Sequence, residues 1–147
     1  MAAGPVTFYY QGWLGTVDGA IRYLYDTLTC ALLDANYTPD QALHSVWSDV
    51  QSYEIASQPD YSPQTLANKS VSLSADKVVL FADPVDFGDA VTLTAKFLVV
   101  YQNTGDPATS RLLFYVDLNA GSADPVQVNN TNFDILWDAN GIYASIV

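Results

Sequence analysis

The chain has 147 residues, half of them apolar and only 14% charged, with fifteen Asp and one Glu against three Lys and two Arg and a formal net charge of -11. That length suits one domain with one core, and the charge repels phosphate backbones, which argues against nucleic-acid binding. An average soluble domain is about a quarter charged, so this chain is short of charge to coat a monomer and a sizeable apolar contact with other subunits is expected.

Glu and Lys, the usual residues of exposed helix faces, are scarce, whereas Val, Thr, Tyr and Phe suit strands and Asp suits turns; the composition predicts mainly β structure. Residues 1–25 read as an N-terminal aromatic arm and residues 26–147 as a single domain. The arm places Phe8, Tyr9, Tyr10, Trp13 and Tyr23 within sixteen residues of one another, more apolar area than a short surface arm normally carries. These five are the candidate contact residues for a neighbouring subunit or a supporting surface, the alternative being packing on their own domain. Gly12, Gly15 and Gly19 weaken a continuous helix, so a short strand and a helical turn both fit this stretch.

Asp26 to Leu33 predicts a strand ending at the turn Asp34-Ala35-Asn36. Thr38 or Asp40 is placed to cap a short helix through Val46 to Val50, with His44 on its outer side as a solvated or subunit-contacting residue. Tyr53 to Ala56 reads as a brief strand and residues 57–64 as a loop with two prolines. Leu66 to Leu73 and Lys77 to Ala82 form a hairpin turning at Ala75-Asp76. Two further runs, Val91 to Gln102 and Ser110 to Asn119, flank a turn-rich segment, Asn103 to Thr109, and form a second hairpin. Their near-continuous apolar residues predict central strands covered on both faces, in a sandwich or at a subunit contact. Phe133, Ile135 and Trp137 alternate with Asp134, Leu136 and Asp138 on a last strand, and Asn140-Gly141 predicts a reversal into a returning strand, Ile142 to Val147, with a tucked end at Ile146 and Val147. The sum is an all-β, antiparallel sandwich, jelly-roll-like, of about eight strands with one or two short helices.

Chemical motifs are sparse. Cys30 stands alone in an apolar run and reads as a small buried hydrophobe. His44 is the single histidine and Glu54 the single Glu, and no phosphate loop, HExxH motif or nucleophile elbow occurs. No enzyme activity and no cofactor are expected. Asp83, Asp86 and Asp89 are candidate calcium ligands, but their spacing is not that of the twelve-residue calcium loop, and the segment reads as a solvated turn. The opening residues lack a basic segment followed by an apolar one, and no run reaches the ~20 apolar residues of a membrane span, so neither secretion by a standard signal nor membrane insertion is expected.

Three regions, TCALLDANYTPDQALHSVWSDVQSYEIA, TLANKSVSLSADKVVLFADPVDF, and LTAKFLVVYQNTGDPATSRLLFYVDLNAG with FDILWDANGIYASIV, together resemble a family of small tailed-bacteriophage virion proteins, the head decoration or capsid cement proteins. The likeness covers about Asp26 to Val147 and rests on a strand pattern with turn words such as YTPD, YQNTGD and WDANGI; the residues before Asp26 depart from it. It implies a non-enzymatic structural protein on the outer surface of the capsid, bound to the major capsid protein, often as a homotrimer, and stabilising the shell. A tail or head-tail component shares the composition and the resemblance. A carbohydrate-binding β-sandwich is the alternative from another class, since Trp and Tyr rings stack on sugar faces.

Overall fold

An apolar run without polar alternation can form a strand only where both sheet faces are covered, and Leu28–Leu33 is buried at all six positions. The computed structural model describes the backbone of residues 1–146 and the side chains of residues 1–142. In chain order the elements are β1 (Val6–Phe8), α1 (Tyr10–Asp18), β2 (Leu28–Leu33), β3 (Gln64–Thr65), β4 (Ser70–Ser74), β5 (Lys77–Phe81), β6 (Val85–Asp86), β7 (Val91–Ala95), β8 (Phe97–Gln102), β9 (Leu112–Asp117), β10 (Val126–Thr131), β11 (Asp134–Ile135) and β12 (Tyr143–Ile146). The fold is the expected all-β antiparallel sandwich. Its central sheet runs β1-β9-β8-β2-β3, and shorter sheets, β10-β7, β11-β6 and β12-β5-β4, make up the rest.

Each face of the central sheet has its own core. On one, Leu28, Cys30, Leu32, Leu98, Val100, Phe114 and Val116 meet Val85, Phe87, Leu93, Phe133 and Ile135 of the shorter sheets. On the other, Ala31, Leu33, Phe97, Val99, Tyr101 and Leu112 lie under Tyr9, Tyr37, Trp47 and Val50. The predicted double coverage is therefore real, and the second cover is this chain's own Tyr9 and segment 37–50 rather than a subunit. Trp47 stacks flat on Tyr101, centroids 4.3 Å apart and planes 9° apart. The turn-rich loop 103–109 is largely exposed.

Several local expectations change. Val91 to Gln102 is not one strand: it breaks at Lys96, β7 pairing with β10 while β8 pairs with β2 and β9. The chain changes layers there because the Lys96 N–H donates to the Leu33 carbonyl at 2.8 Å and the Lys96 carbonyl accepts from the Leu118 N–H at 2.9 Å. The helix expected through Val46 to Val50 is replaced by two 3-10 turns, Trp47–Asp49 and Gln51–Tyr53. Val46 is extended and bridges to Arg111, while the Asp49 carboxylate accepts from the N–H groups of Ser45 and Val46 at 2.9 and 3.1 Å. Those bonds hold the Asp49 carboxyl below its usual range. Asp40 does act as a cap, but of a single turn, accepting from the N–H groups of Ala42 and Leu43 at 3.0 and 2.9 Å.

The brief strand expected at Tyr53 to Ala56 shrinks to one bridge, Glu54 to Leu33. At Asn140-Gly141 only Gly141 takes positive φ, +112°. The chain then leaves residues 133–138, and β12 pairs with β5 instead. The side chain of Ile146 and the whole of Val147, read as a tucked end, lie outside what is described. The β4–β5 hairpin forms with Ala75 at φ +53° in its turn, but its first strand starts at Ser70 rather than Leu66.

Cys30 is fully buried in the first core, and burial pushes its thiol up to about 12. Thiolate is the reactive form, so iodoacetamide at pH 8 is expected to alkylate native Cys30 about a thousandfold more slowly than the denatured chain. Mass spectrometry of timed samples checks this; labelling of the native protein within minutes would contradict the burial.

Candidate functional site

The feature that the core does not explain is α1. Tyr10, Trp13, Leu14 and Val17 are spaced 3, 4 and 7 apart, which places them on one helix face. An amphipathic helix normally turns such a face inward. Here it faces out: Tyr10 is 61% exposed, Trp13 39%, Leu14 50% and Val17 69%. The buried residues of the helix are Gly12 and Gly15, on the opposite face.

The cause lies in β9. Between Val100 and Tyr101 the register of β8 and β9 shifts, so that Tyr101 faces Leu112, Val100 faces Phe114, and Leu113 is an extra residue. This is a β-bulge, which bends the strand and frees backbone groups. The Leu113 carbonyl accepts from the Tyr9 N–H at 3.1 Å, and the helix start lies against that backbone. A Cβ on residue 12 would sit 2.4 Å from the Leu113 carbonyl oxygen and 2.5 Å from that of Leu112. Only glycine allows this approach. Gly15 faces the Ile21 side chain in the same manner, at 3.0 Å. With Gly12 against the sheet and Gly15 against Ile21, the apolar face turns outward, Trp13 resting partly on Phe8.

The five predicted contact residues do not form one surface. Tyr9 is fully buried, its hydroxyl 2.7 Å from that of Tyr37 and its ring tilted on Tyr115. Burial, then the neighbouring Tyr37, drives its phenol far above the usual range. Tyr23 is buried too, donating to the Phe81 carbonyl at 2.8 Å. Phe8 is half-buried and packs edge-on against Phe114 at 5.6 Å and Trp13 at 5.2 Å. Tyr10 and Trp13 alone of the five reach the exposed stripe. A shallow groove beside them is lined by Val6, Thr7, Phe8, Tyr10, Trp13 and Gln41.

Leu14 and Val17 belong to the stripe although sequence reasoning passed over them. The signal was present in the 3, 4, 7 spacing, masked by the glycines that lower helix propensity. Past the helix, Leu24 and Tyr25 are also exposed, and the Arg22 guanidinium lies 6.0 Å from the Tyr25 ring while pairing with Asp26 at 3.3 Å.

Other titratable groups are spread out. His44 is half-buried: its Nδ1 accepts from the Asp40 N–H at 3.2 Å and lies 3.0 Å from the Tyr37 hydroxyl. Asp86 accepts from the Gly88 N–H, and Asp83 accepts from the Asn68 side-chain amide. Among the described residues no three His, Cys, Asp or Glu side chains are placed to hold a metal ion, and no helix is long and apolar enough to cross a membrane. In comparison with known proteins, no family model, curated protein or solved structure matches the chain.

Proposed function

We propose that this chain is a structural virion protein that binds the outer surface of an assembled bacteriophage capsid and stabilises the shell, with α1 as its anchor. The observation that carries the reading is the outward apolar face Tyr10, Trp13, Leu14 and Val17 on a helix locked to the sheet by Gly12. Exposed apolar residues gathered on a rigid element mark an interaction surface. The acidity of the chain, -11 overall, suits a position away from packaged nucleic acid, and the resemblance of residues 26–147 to head decoration proteins supplies the kind of partner, the major capsid protein.

A cement acts by linkage: it binds the closed lattice and not its separated subunits, so each contact adds to the stability of the shell. Repetition over many copies, or within a homotrimer, gives avidity from modest single contacts. An anchor needs little more than buried apolar area, and each of these side chains supplies about 1.5–3 kcal/mol when fully covered.

The test is a triple substitution, Tyr10→Ser, Leu14→Ser and Val17→Ser, which leaves both cores untouched. Its occupancy on purified heads, measured as the gel ratio to the major capsid protein, is expected to fall at least about tenfold with little change in thermal midpoint. Unchanged occupancy would remove α1 as the anchor. Recovery of the native protein with tails and not heads would move the protein to the tail.

A further inference from the structure

The free edge of the β4–β5 hairpin carries a second contact, independent of α1 and of the capsid reading. We propose that β4 pairs with β4 of a second copy of this chain, antiparallel and centred on Ser72, so that two three-stranded sheets become one continuous sheet.

β4 is the outer strand of the order β12-β5-β4, and all five of its residues are exposed. Its register with β5 is Ser70↔Phe81, Val71↔Leu80, Ser72↔Val79, Leu73↔Val78 and Ser74↔Lys77. A two-residue turn makes the flanking residues, Ser74 and Lys77, a hydrogen-bonded pair, and such pairs alternate along the ladder. Ser70, Ser72 and Ser74 therefore turn their backbone groups toward β5. Val71 and Leu73 present theirs outward.

Natural sheets guard such edges with Lys, Pro, a bulge or a covering element. Residues 70–74, Ser-Val-Ser-Leu-Ser, contain no charge and no proline. The side chains of Val71 and Leu73, 40% and 73% exposed, share a face with Val78, 38% exposed, and with buried Leu80. An apolar row thus runs to the open edge and stops.

The occupant is argued from self-complementarity. The segment reads almost alike in both directions, so antiparallel pairing about Ser72 sets Val71 against Leu73 of the partner subunit, and Leu73 against Val71 of the partner subunit. Those are the two residues whose backbone groups are free on both copies, and each pair exchanges both of its bonds. The apolar row then continues across the junction. Charge favours the same arrangement. Two copies at -11 each repel through most faces, but this strand carries no charge.

The test is sedimentation of the isolated protein at about 100 µM, where a contact of micromolar strength is populated. The native chain is expected to be a dimer. Val71→Lys alone and Leu73→Glu alone each set identical charges diagonally across the twofold axis and are expected to weaken the dimer at least about tenfold. Combined, the two substitutions place each new ammonium opposite a new carboxylate, and the dimer is expected to return. Both sites are exposed, and far-UV dichroism verifies that each variant is folded. A monomeric native protein, a trimer whose mass neither single substitution alters, or a combined variant that stays monomeric would overturn the pairing. The triple α1 variant is expected to remain a dimer, which separates this contact from the proposed anchor.

Discussion

Gly12→Ala is expected to destabilise the protein by about 3 kcal/mol and to lower its thermal midpoint by about 6–12 °C. The added methyl would lie 2.4 and 2.5 Å from two backbone carbonyl oxygens, with the Leu113 Cα at 2.9 Å. No rotamer change relieves an overlap with main chain. Either α1 lifts from the sheet or the bulge in β9 straightens, and the second would shift Leu113 and Phe114, both in the core. Helix propensity alone favours Ala over Gly by about 1 kcal/mol, so a variant as stable as the native chain would refute the close approach. Gly19→Ala is the control. At φ +85° with nothing within 4 Å, it meets only backbone strain and is expected to cost about 1 kcal/mol. Differential scanning calorimetry on both variants makes the comparison.

The second large effect is expected at the corner between the layers. Lys96 is only 4% exposed, and its ammonium pairs with the Asp117 carboxylate and donates to the Asn119 carbonyl at 2.8 Å. Lys96→Met keeps most of the aliphatic stem but leaves the Asn119 carbonyl without this donor and the Asp117 carboxylate with the Asn119 N–H but no counter-charge. Removing one partner of a fully buried pair costs about 3–5 kcal/mol; Asp117 is 32% exposed, so solvent reduces this to about 2–3 kcal/mol. Adding Asp117→Asn to Lys96→Met is expected to recover part of that loss, because the carboxylate left without its counter-charge is then gone. Urea titrations of the two single variants and the pair give the coupling. Equal stability of Lys96→Met and the native chain would show the ammonium to be dispensable.

Much of the fold was legible because its strands obey the simplest rule available. Leu98 to Tyr101 and Leu112 to Val116 are apolar on both faces and had to be central, whereas Leu28 to Leu33, with Thr29 inside it, read only as a strand. Ala75-Asp76 punctuates a plain hairpin, and of the strand read over residues 133–138 only Asp134–Ile135 forms, with Phe133 and Ile135 of the expected face buried. What escaped was set by contacts distant in sequence. Nothing local in Ala95-Lys96-Phe97 shows that a strand ends there, since the break is made by backbone bonds to Leu33 and Leu118. The helix expected through Val46 to Val50 rested on a capping signal at Thr38 or Asp40, but the bridge to Arg111 and the carboxylate of Asp49 draw the chain into tighter turns.

The aromatic cluster was legible as composition and not as geometry. Tyr9 and Tyr10 are adjacent, yet one is fully buried and the other mostly exposed, because the strand-to-helix junction falls between them and turns consecutive side chains to opposite sides. Apolar content cannot separate the two. The helical spacing from Tyr10 to Val17 could have identified the outward stripe, had the glycines been read as a packing face rather than as helix breakers.

Lys96 also sets how force passes through the molecule. The covalent backbone crosses from β7 to β8 at that residue, and its ammonium ties the crossing to Asp117 at the end of β9 and to Asn119 just past it. A pull that separates the two layers therefore loads main chain and a charged clamp together, instead of peeling apolar side chains apart one row at a time. Tension entering one sheet is handed to the other through that crossing.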